Sequence, residues 1–185
     1  GTTVNTTTGF PTPFGQFYGS DHVQFLYLAS DLTSAGISAG NLFNISYNIA
    51  SAYGGATMQG FRIAMAHTSA TALTTSLITT GFTTVFGPTN YTPGASTGWT
   101  PINFTTPFNW NGTNNIVIDS WYSNCSVCNG TSSCTTSFTT NGIVNQSTTA
   151  YISCVDFHAD GNCTIATMAP LVTAGTTAMT GTTYL

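Results

Sequence analysis

The sequence predicts an all-β fold: a single antiparallel β-sandwich or jelly-roll-like domain over residues 1–185, with disulfide-stapled loops. Short strand-like segments recur about every ten residues, with turn residues between them. The stretch Pro107–Tyr122, PFNWNGTNNIVIDSWY, indicates a core strand, because Asn111-Gly112 turns the chain into the β-branched run Ile116–Ile118. That run is apolar at successive positions, so we expect a central strand covered on both faces.

The first half of the chain predicts mostly strands and one short helix. Gly1–Thr8 is Thr-rich and predicts an extended terminal strand. In Asp31–Gly40, Asp31 can cap and Gly36 can end one or two helical turns. Residues 69–80 predict a turn of helix and an irregular connection. Apolar patterns predict strands at Asp21–Ser30, Leu42–Ser51, Gln59–His67, Phe82–Phe86 and Thr89–Thr92, the last two broken at Gly87-Pro88.

The second half continues in the same way. Trp99–Thr105 predicts a strand that leads into the core stretch. Asn141-Gly142 predicts a hairpin between two short strands, because both residues tolerate positive φ. Gly175–Leu185 predicts a second Thr-rich terminal strand. The remaining predicted strands are Thr135–Thr140 and Ile143–Thr148 in the hairpin, then Thr149–Ala159 and Ala166–Ala174.

The chain carries almost no charge, and this excludes several partners. Only 3% of its residues are charged, against about a quarter in an ordinary globular chain. Arg62 is the one basic residue and five Asp are the acidic ones, which gives a formal net charge of -4. We predict no nucleic-acid partner, since a basic stripe is missing. We also predict no membrane insertion, since no apolar run approaches the roughly 20 residues of a spanning helix.

Five cysteines lie in the last third of the chain. Cys125 and Cys128 have zinc-knuckle spacing, but no second compact ligand pair accompanies them. We therefore expect disulfides, and with them an oxidising, extracellular compartment. The expected bridges join Cys154 to Cys163, and Cys134 to Cys125, with Cys128 as the alternative partner. The odd cysteine is then free or bonded to another chain.

Two stretches resemble a known domain. The segments PTPFGQFYGSDHVQFLYLASDLTSAGISAGNL and PFNWNGTNNIVIDSWYSN are similar to a β-sandwich domain that recurs in secreted and cell-surface, adhesin-type proteins of Bacteroidota. The resemblance implies an extracellular, non-catalytic structural or adhesive role, and it brings no catalytic residues. The chain departs from that pattern in its scarcity of charge and in its cysteine-rich loop.

The titratable residues do not form a recognisable catalytic set. His22, His67 and His158 stand in no Ser-His-Asp order, and no Gly-x-Ser-x-Gly elbow is present. Asp156, His158 and Asp160 alternate along one strand and are a candidate metal set, but hard cations need more carboxylates than the chain offers. We predict a protein that is not an enzyme and that binds no cofactor and no metal.

Soluble proteins usually stay apart through surface charge. This chain has almost none, so something else should shield its exterior. Copies of the same chain can cover it, or glycans can coat it. Thr supplies about one residue in five and Asn is frequent, so Asn-x-Ser/Thr glycosylation signals are numerous. The candidate glycosylation sites are Asn5, Asn44, Asn90, Asn103, Asn111, Asn124, Asn129, Asn145 and Asn162.

These observations predict a structural subunit of an extracellular filament, sheath or cell-surface polymer that assembles with itself through inter-subunit β-strands. Either terminal strand, 1–8 or 175–185, can supply that contact; within the first, the candidate assembly residues are Thr2, Val4, Thr6 and Thr8. The alternative is a carbohydrate-binding adhesion module, since aromatic rings can stack on sugars. Its candidate rings are Trp99, Trp110, Trp121, Tyr18, Tyr53 and Tyr91.

Overall fold

The computed structural model of the chain describes residues 3–4, 12–15, 19–51, 57–94, 96–124, 144–159, 178–181 and 183–184. Over these residues the fold is antiparallel β-structure with one short helix, α1 (Ala29–Ser34). In chain order the strands are β1 (Thr3–Val4), β2 (Ser20–Tyr27), β3 (Gly40–Ile49), β4 (Met58–Thr68), β5 (Thr83–Tyr91), β6 (Gly98–Trp110), β7 (Asn115–Ser123), β8 (Asn145–Thr148), β9 (Cys154–Ala159), β10 (Ala178–Gly181) and β11 (Thr183–Tyr184).

The largest unit is a six-stranded sheet in the order β10-β9-β2-β7-β4-β5, with every pair antiparallel. The predicted core strand is β7, and it lies between β2 and β4 with residues 116–120 all buried. Its entry turn has the predicted form, because Gly112 has a φ of 80° and the Asn111 Oδ1 accepts hydrogen bonds from the backbone N–H groups of Thr113 and Asn114. Both expectations for this stretch are confirmed.

A second unit is a long two-stranded ribbon of β3 and β6, with a register shift between Leu42 and Asn44. β6 runs on to Trp110, past the predicted end at Thr105, and it contains Pro101 and Pro107. Proline is tolerated there because, among the described strands, β6 forms a ladder only with β3. An isolated bridge from Ile49 to Val144 links the ribbon to β8.

β8 is a short strand that holds both ends of the chain. It pairs with β1 through Thr3↔Gln146 and Val4↔Asn145. It also pairs with β11 through Thr183↔Thr148 and Tyr184↔Ser147. Among the described residues each of these pairings is two residues long, so few described ladder hydrogen bonds hold either segment.

The main core lies between the six-stranded sheet and the ribbon. Trp110 is 1% exposed, and its indole Nε1 donates a hydrogen bond to the Asn114 backbone oxygen at 2.7 Å. Burial of these large apolar side chains removes them from water, which is the main force that joins the two layers. The ribbon contributes Tyr47, Ile49, Ile102, Phe108 and Trp110, and the sheet contributes Met58, Phe61, Ile63, Met65, Val85, Ile116, Ile118 and Tyr122.

The other face of the sheet is covered by the connection between β4 and β5. Its Leu73 and Leu77 pack on Leu26, Val155 and Phe157. The expectation of a helical turn at residues 69–80 was wrong: the segment is irregular throughout. Hydrogen bonds from its backbone to neighbouring segments replace those of a helix. Leu73 N–H donates to the Ile152 oxygen at 2.7 Å, and Ile78 N–H donates to Gln24 Oε1 on β2 at 2.9 Å.

Other boundaries also differ from the sequence-based expectation. The strand expected at Thr149–Ala159 begins at Cys154. The helix begins at Ala29 with Leu28 in the N-cap position, so Asp31 lies inside the first turn rather than capping it. The two strands expected around Gly87-Pro88 form one strand, β5, which accommodates the break with register shifts against β4. Within the described residues, no helix is long and apolar enough to span a bilayer.

Candidate functional site

Most of the described charged residues lie inside the six-stranded sheet. On the face covered by the β4–β5 connection, β2, β7 and β4 bring together His22, Gln24, Arg62, Asp119 and Trp121, which we call the Asp119 cluster. The register places His22 opposite Trp121 and Gln24 opposite Asp119, and it places Arg62 on the other side of Trp121. Side chains at alternate positions of neighbouring strands share a face, so this register creates the cluster.

Asp119 is the acceptor at the centre of this cluster. Its Oδ1 lies 2.6 Å from His22 Nε2 and accepts a 2.8 Å hydrogen bond from Gln24 Nε2. Its Oδ2 lies 3.6 Å from an Arg62 terminal nitrogen, and the Arg62 guanidinium carbon lies 4.7 Å from the centre of the Trp121 ring. The single basic residue of the chain is therefore held by an ion pair and a cation–π contact.

Burial raises the pKa of Asp119, but the charge of His22, the hydrogen bonds from His22 and Gln24 and the charge of Arg62 together hold that pKa below its usual value. A His–Asp pair is part of a hydrolytic triad, yet His22 Nδ1 has no hydrogen-bond partner within the described residues. No described nucleophile is therefore bonded to the histidine. The arrangement is a buried ion network in which Asp119 is the common acceptor for His22, Gln24 and Arg62.

A second cluster lies on the opposite face of the sheet, where β2 meets β9. His158 Nδ1 lies 2.7 Å from Asp156 Oδ2, and Asp21 pairs with His158 in the register. Burial raises the pKa of Asp21 well above its ordinary value, and the neighbouring Asp156 raises it further. The side-chain hydrogen bond between Asp21 and Asp156 is a further cause of this rise, because it favours the protonated form of Asp21.

The candidate metal residues lie only partly within the described chain. Asp156 and His158 are in contact, whereas Asp160 lies outside the described residues. Among the residues described, no group of three or more His, Cys, Asp or Glu side chains could hold a metal ion. The Asp156–His158 contact is explained by the ion pair itself.

Of the cysteines, only Cys154 is described; its side chain is buried and forms no disulfide with another described residue. Burial raises its pKa, and the nearby Asp156 and Asp21 raise it further. A thiol in this state is a poor nucleophile. Its predicted partner Cys163 lies outside the described residues, so that bridge stays a prediction, as do the bridges of Cys125, Cys128 and Cys134.

The candidate glycosylation sites divide by exposure. Asn44, Asn90, Asn103 and Asn111 are exposed, and Asn145 is half-buried. Asn124 is buried, and its Oδ1 accepts a 2.8 Å hydrogen bond from the Gln59 backbone N–H. A glycan on Asn124 does not fit this packing, so we withdraw that candidate. The three others, Asn5, Asn129 and Asn162, lie outside the described residues.

An apolar cleft of about 240 Å³ opens between α1 and the ribbon. Leu32, Ile45 and Phe104 are among the residues that line it. No carboxylate, imidazole or thiol belongs to its described lining, so the cleft offers no acid–base or nucleophilic chemistry.

The ribbon presents a very different surface to solvent. We give the name outer ribbon face to the alternate positions Asn44, Ser46, Asn48, Trp99, Pro101 and Asn103. Ser46 and Asn48 are half-buried there, and Asn44 and Ser46 also line the cleft. Trp99 is 66% exposed there, and Phe43, at the register shift, is 60% exposed. Exposed apolar groups rimmed by polar residues are a common feature of ligand-binding surfaces.

The other candidate sugar-stacking rings are less available than Trp99. Trp110 is in the core, and Tyr91 packs on Phe61 with a centroid distance of 5.1 Å. Trp121 lies under Arg62. Tyr18 and Tyr53 lie outside the described residues.

The sequence patterns considered above did not predict the Asp119 cluster. One signal for it is present in the sequence, because polar or amphipathic residues occupy alternate positions of otherwise mostly apolar strands. These residues are His22 and Gln24 in β2, and Asp119 and Trp121 in β7. Of the candidate assembly residues, Val4 belongs to β1 and pairs with Asn145 within the chain, and Thr2, Thr6 and Thr8 lie outside the described residues.

Comparison of the chain with protein-family models, with curated proteins and with solved structures gives no match. The resemblance to the Bacteroidota surface domain therefore stays a prediction.

Proposed function

We propose that this protein is a non-catalytic, extracellular structural subunit that joins copies of itself through exchanged β-strands. The six-stranded sheet and the ribbon, continued through β8, would form the two layers of a jelly-roll-like sandwich. The shared core between the sheet and the ribbon supports that arrangement. In this proposal the domain provides rigid bulk, and the short strands at its margin provide the connections.

The observation that carries the proposal is the way β8 binds both chain ends. β1 and β11 each contribute two residues to it, and β10 adds four residues to the margin of the six-stranded sheet. Such short pairings release easily, and an identical strand from a neighbouring copy can replace them with the same hydrogen bonds. Exchange of an identical element is a low-cost route to an oligomer.

The distribution of charge supports the same proposal. Asp21, Asp119 and Asp156 are buried, so they contribute little to repulsion between copies. The outside of the described ribbon carries only amides, hydroxyls, proline and aromatic rings. A surface without charge is one that other molecules, including copies or attached glycans, can cover without desolvating ions.

The proposal is tested by oxidising an assembled sample of the double variant Val4→Cys, Asn145→Cys. The register makes residues 4 and 145 cross-strand neighbours, close enough for a disulfide. If β1 is exchanged, the new bridge joins different chains, and a non-reducing gel shows a ladder of covalent multimers. Light scattering and negative-stain microscopy of the unaltered protein should show polymers that are lost when residues 1–8 are deleted.

The single variants Val4→Cys and Asn145→Cys, oxidised in the same way, control for the native cysteines. A cross-linked band at monomer size would mean that β1 stays in its own chain. An unmodified protein that remains dispersed and monomeric at high concentration would contradict self-assembly itself.

The second candidate function is carbohydrate-binding adhesion. The exposure of Trp99 is the observation that favours it, because a tryptophan on an uncharged sheet face is a ready stacking surface for a sugar ring.

A further inference from the structure

Trp99 has a well-defined set of neighbours on the outer ribbon face. The register places Asn48 directly across from it and Pro101 two positions along its own strand, with Ser46 opposite Pro101. Asn44 and Asn103 face each other one further step along the ribbon. Cross-strand neighbours have Cβ atoms about 5 Å apart, and each step of two residues advances about 7 Å. The indole thus lies at one end of a strip of neutral polar side chains.

The amides of this strip are free to bind a ligand. Within the described residues, the side chains of Asn44, Asn48 and Asn103 make no hydrogen bond to the protein. By contrast, Asn41 and Asn109 at the far end of the ribbon bond to each other at 2.9 Å. Each free amide offers two donors and an acceptor, so the strip can bond to hydroxyl groups of either polarity.

Charge and area together narrow the class of ligand. β3 and β6 contain no Asp, Glu, Lys, Arg or His, so the face has no ionic partner for a charged ligand. The whole solvent side of the ribbon, of which the outer ribbon face is a part, is about 33 Å long and about 10 Å wide, or about 330 Å² in projection. A stable protein interface needs about 800 Å² from each partner, so this face alone is too small for a second copy.

We infer that the outer ribbon face binds neutral saccharides, with Trp99 stacking on the apolar face of a sugar ring and Asn48 bonding its hydroxyls. A pyranose has C–H groups on its ring faces and hydroxyls around its rim. Those two features match an exposed indole flanked by free amides. Ser46, one step of two residues along β3 from Asn48, extends the site toward a second sugar unit. This inference rests on the second candidate function, carbohydrate binding, and does not depend on the proposed assembly. The face adjoins β8, since Asn145 Nδ2 donates a 3.4 Å hydrogen bond to the Asn48 backbone oxygen.

The test uses the whole chain, made without glycosylation and checked by intact mass, and four neutral disaccharides: cellobiose, lactose, maltose and chitobiose. The probe is the indole N–H signal of each tryptophan in ¹H–¹⁵N spectra. At least one disaccharide should shift the Trp99 signal in a saturable way. The Trp110 signal should stay in place, because that indole is buried and bonded to Asn114. Digalacturonic acid, a charged counterpart, should bind more weakly.

Point variants distinguish the stacking of a sugar on Trp99 from the general effect of removing an exposed aromatic side chain. Trp99→Ala should raise the dissociation constant at least about tenfold, which corresponds to a stacking contact worth about 1.4 kcal/mol. Trp99→Tyr should restore most of the affinity because it keeps a stacking ring. Phe43→Ala is the matched control: its side chain is equally exposed on the same ribbon but lies about 15 Å from Trp99, beyond the reach of a disaccharide.

Four results would overturn the inference. They are a Trp99 signal that no neutral disaccharide shifts, a Trp99→Ala variant that binds as tightly as the unaltered protein, equal losses in Trp99→Ala and Phe43→Ala, and a Trp99→Ala variant whose only change is weaker self-association. The last result would assign the face to a second copy of the chain.

Discussion

The six-stranded sheet and the β3–β6 ribbon differ in their content of charged residues. The sheet contains Asp21, Asp119, Asp156 and Arg62, and each of them is buried or half-buried against a partner. The ribbon contains no ionisable acid or base except tyrosine, and it exposes Trp99 to solvent. An ordinary domain has the reverse arrangement, with charges outside and aromatic rings inside.

The difference shows what the few charges of this chain do. Placed inside, they hold strands together through ion pairs and hydrogen bonds in a low-dielectric setting, where such contacts are strong and their loss is costly. Placed outside, they would keep copies apart and favour charged ligands. The neutral exterior is thus left free for contacts with uncharged surfaces.

The largest expected effect comes from a comparison of the buried side of the ribbon with its exposed side. Each side is represented by one tryptophan of β6. Trp110→Ala should lower the free energy of unfolding by about 3–5 kcal/mol, because it opens a cavity in the core and removes the hydrogen bond to Asn114. Trp99→Ala, on the same strand, should change it by less than about 0.5 kcal/mol. Urea denaturation measures both, and comparable losses would show that Trp99 is a core residue.

The next effect tests the internal role of charge. Asp119→Asn should lower the free energy of unfolding by about 2–3 kcal/mol, because His22, Gln24 and Arg62 lose a charged acceptor. The converse change on the ribbon, Asn103→Asp, adds a charge to an exposed position and should cost less than about 0.5 kcal/mol. If Asp119→Asn proves as neutral as Asn103→Asp, the ion network does not hold the sheet.

The smallest expected effect is on the pH dependence of the free energy of unfolding. Asp21 and Asp119 should contribute to it with opposite signs. Burial raises the pKa of Asp21, so its contribution to stability is complete below the unfolded-state pKa, about 3.9, and is lost as pH rises through the folded-state pKa. Asp21→Asn mimics the protonated side chain. This variant should therefore gain stability relative to the unaltered protein as the pH is raised from 4 to 8.

Asp119 provides the opposite slope as an internal control. Its folded-state pKa is lowered, so its contribution is present above the unfolded-state pKa and is lost as pH falls through the folded-state pKa. The deficit of Asp119→Asn should accordingly shrink in acid. Denaturation at several pH values measures both variants, and parallel pH profiles for the two would refute this assignment of opposite shifts.

Local patterns in the sequence were sufficient for the antiparallel β-class and for its best strands. Asn111-Gly112 and the apolar run that follows specify a turn and a buried strand through backbone conformation and hydrophobicity, both of which are local properties. The predicted boundaries of the strands were less accurate. β6 contains two prolines that argue locally against a strand, and they are acceptable only because one edge of β6 forms no described ladder.

The scarcity of charge was also determined by the sequence alone, but the placement of the charges was not. β2 and β7 are buried on both faces, so the alternation of His22 with Gln24 and of Asp119 with Trp121 does not say what covers each side of the strand. Only the pairing register, set by the packing of distant segments, brought residues about one hundred positions apart to within 2.6 Å. The same register decided that Trp110 faces the core and Trp99 faces solvent, because a shift of one residue exchanges the two sides of a strand.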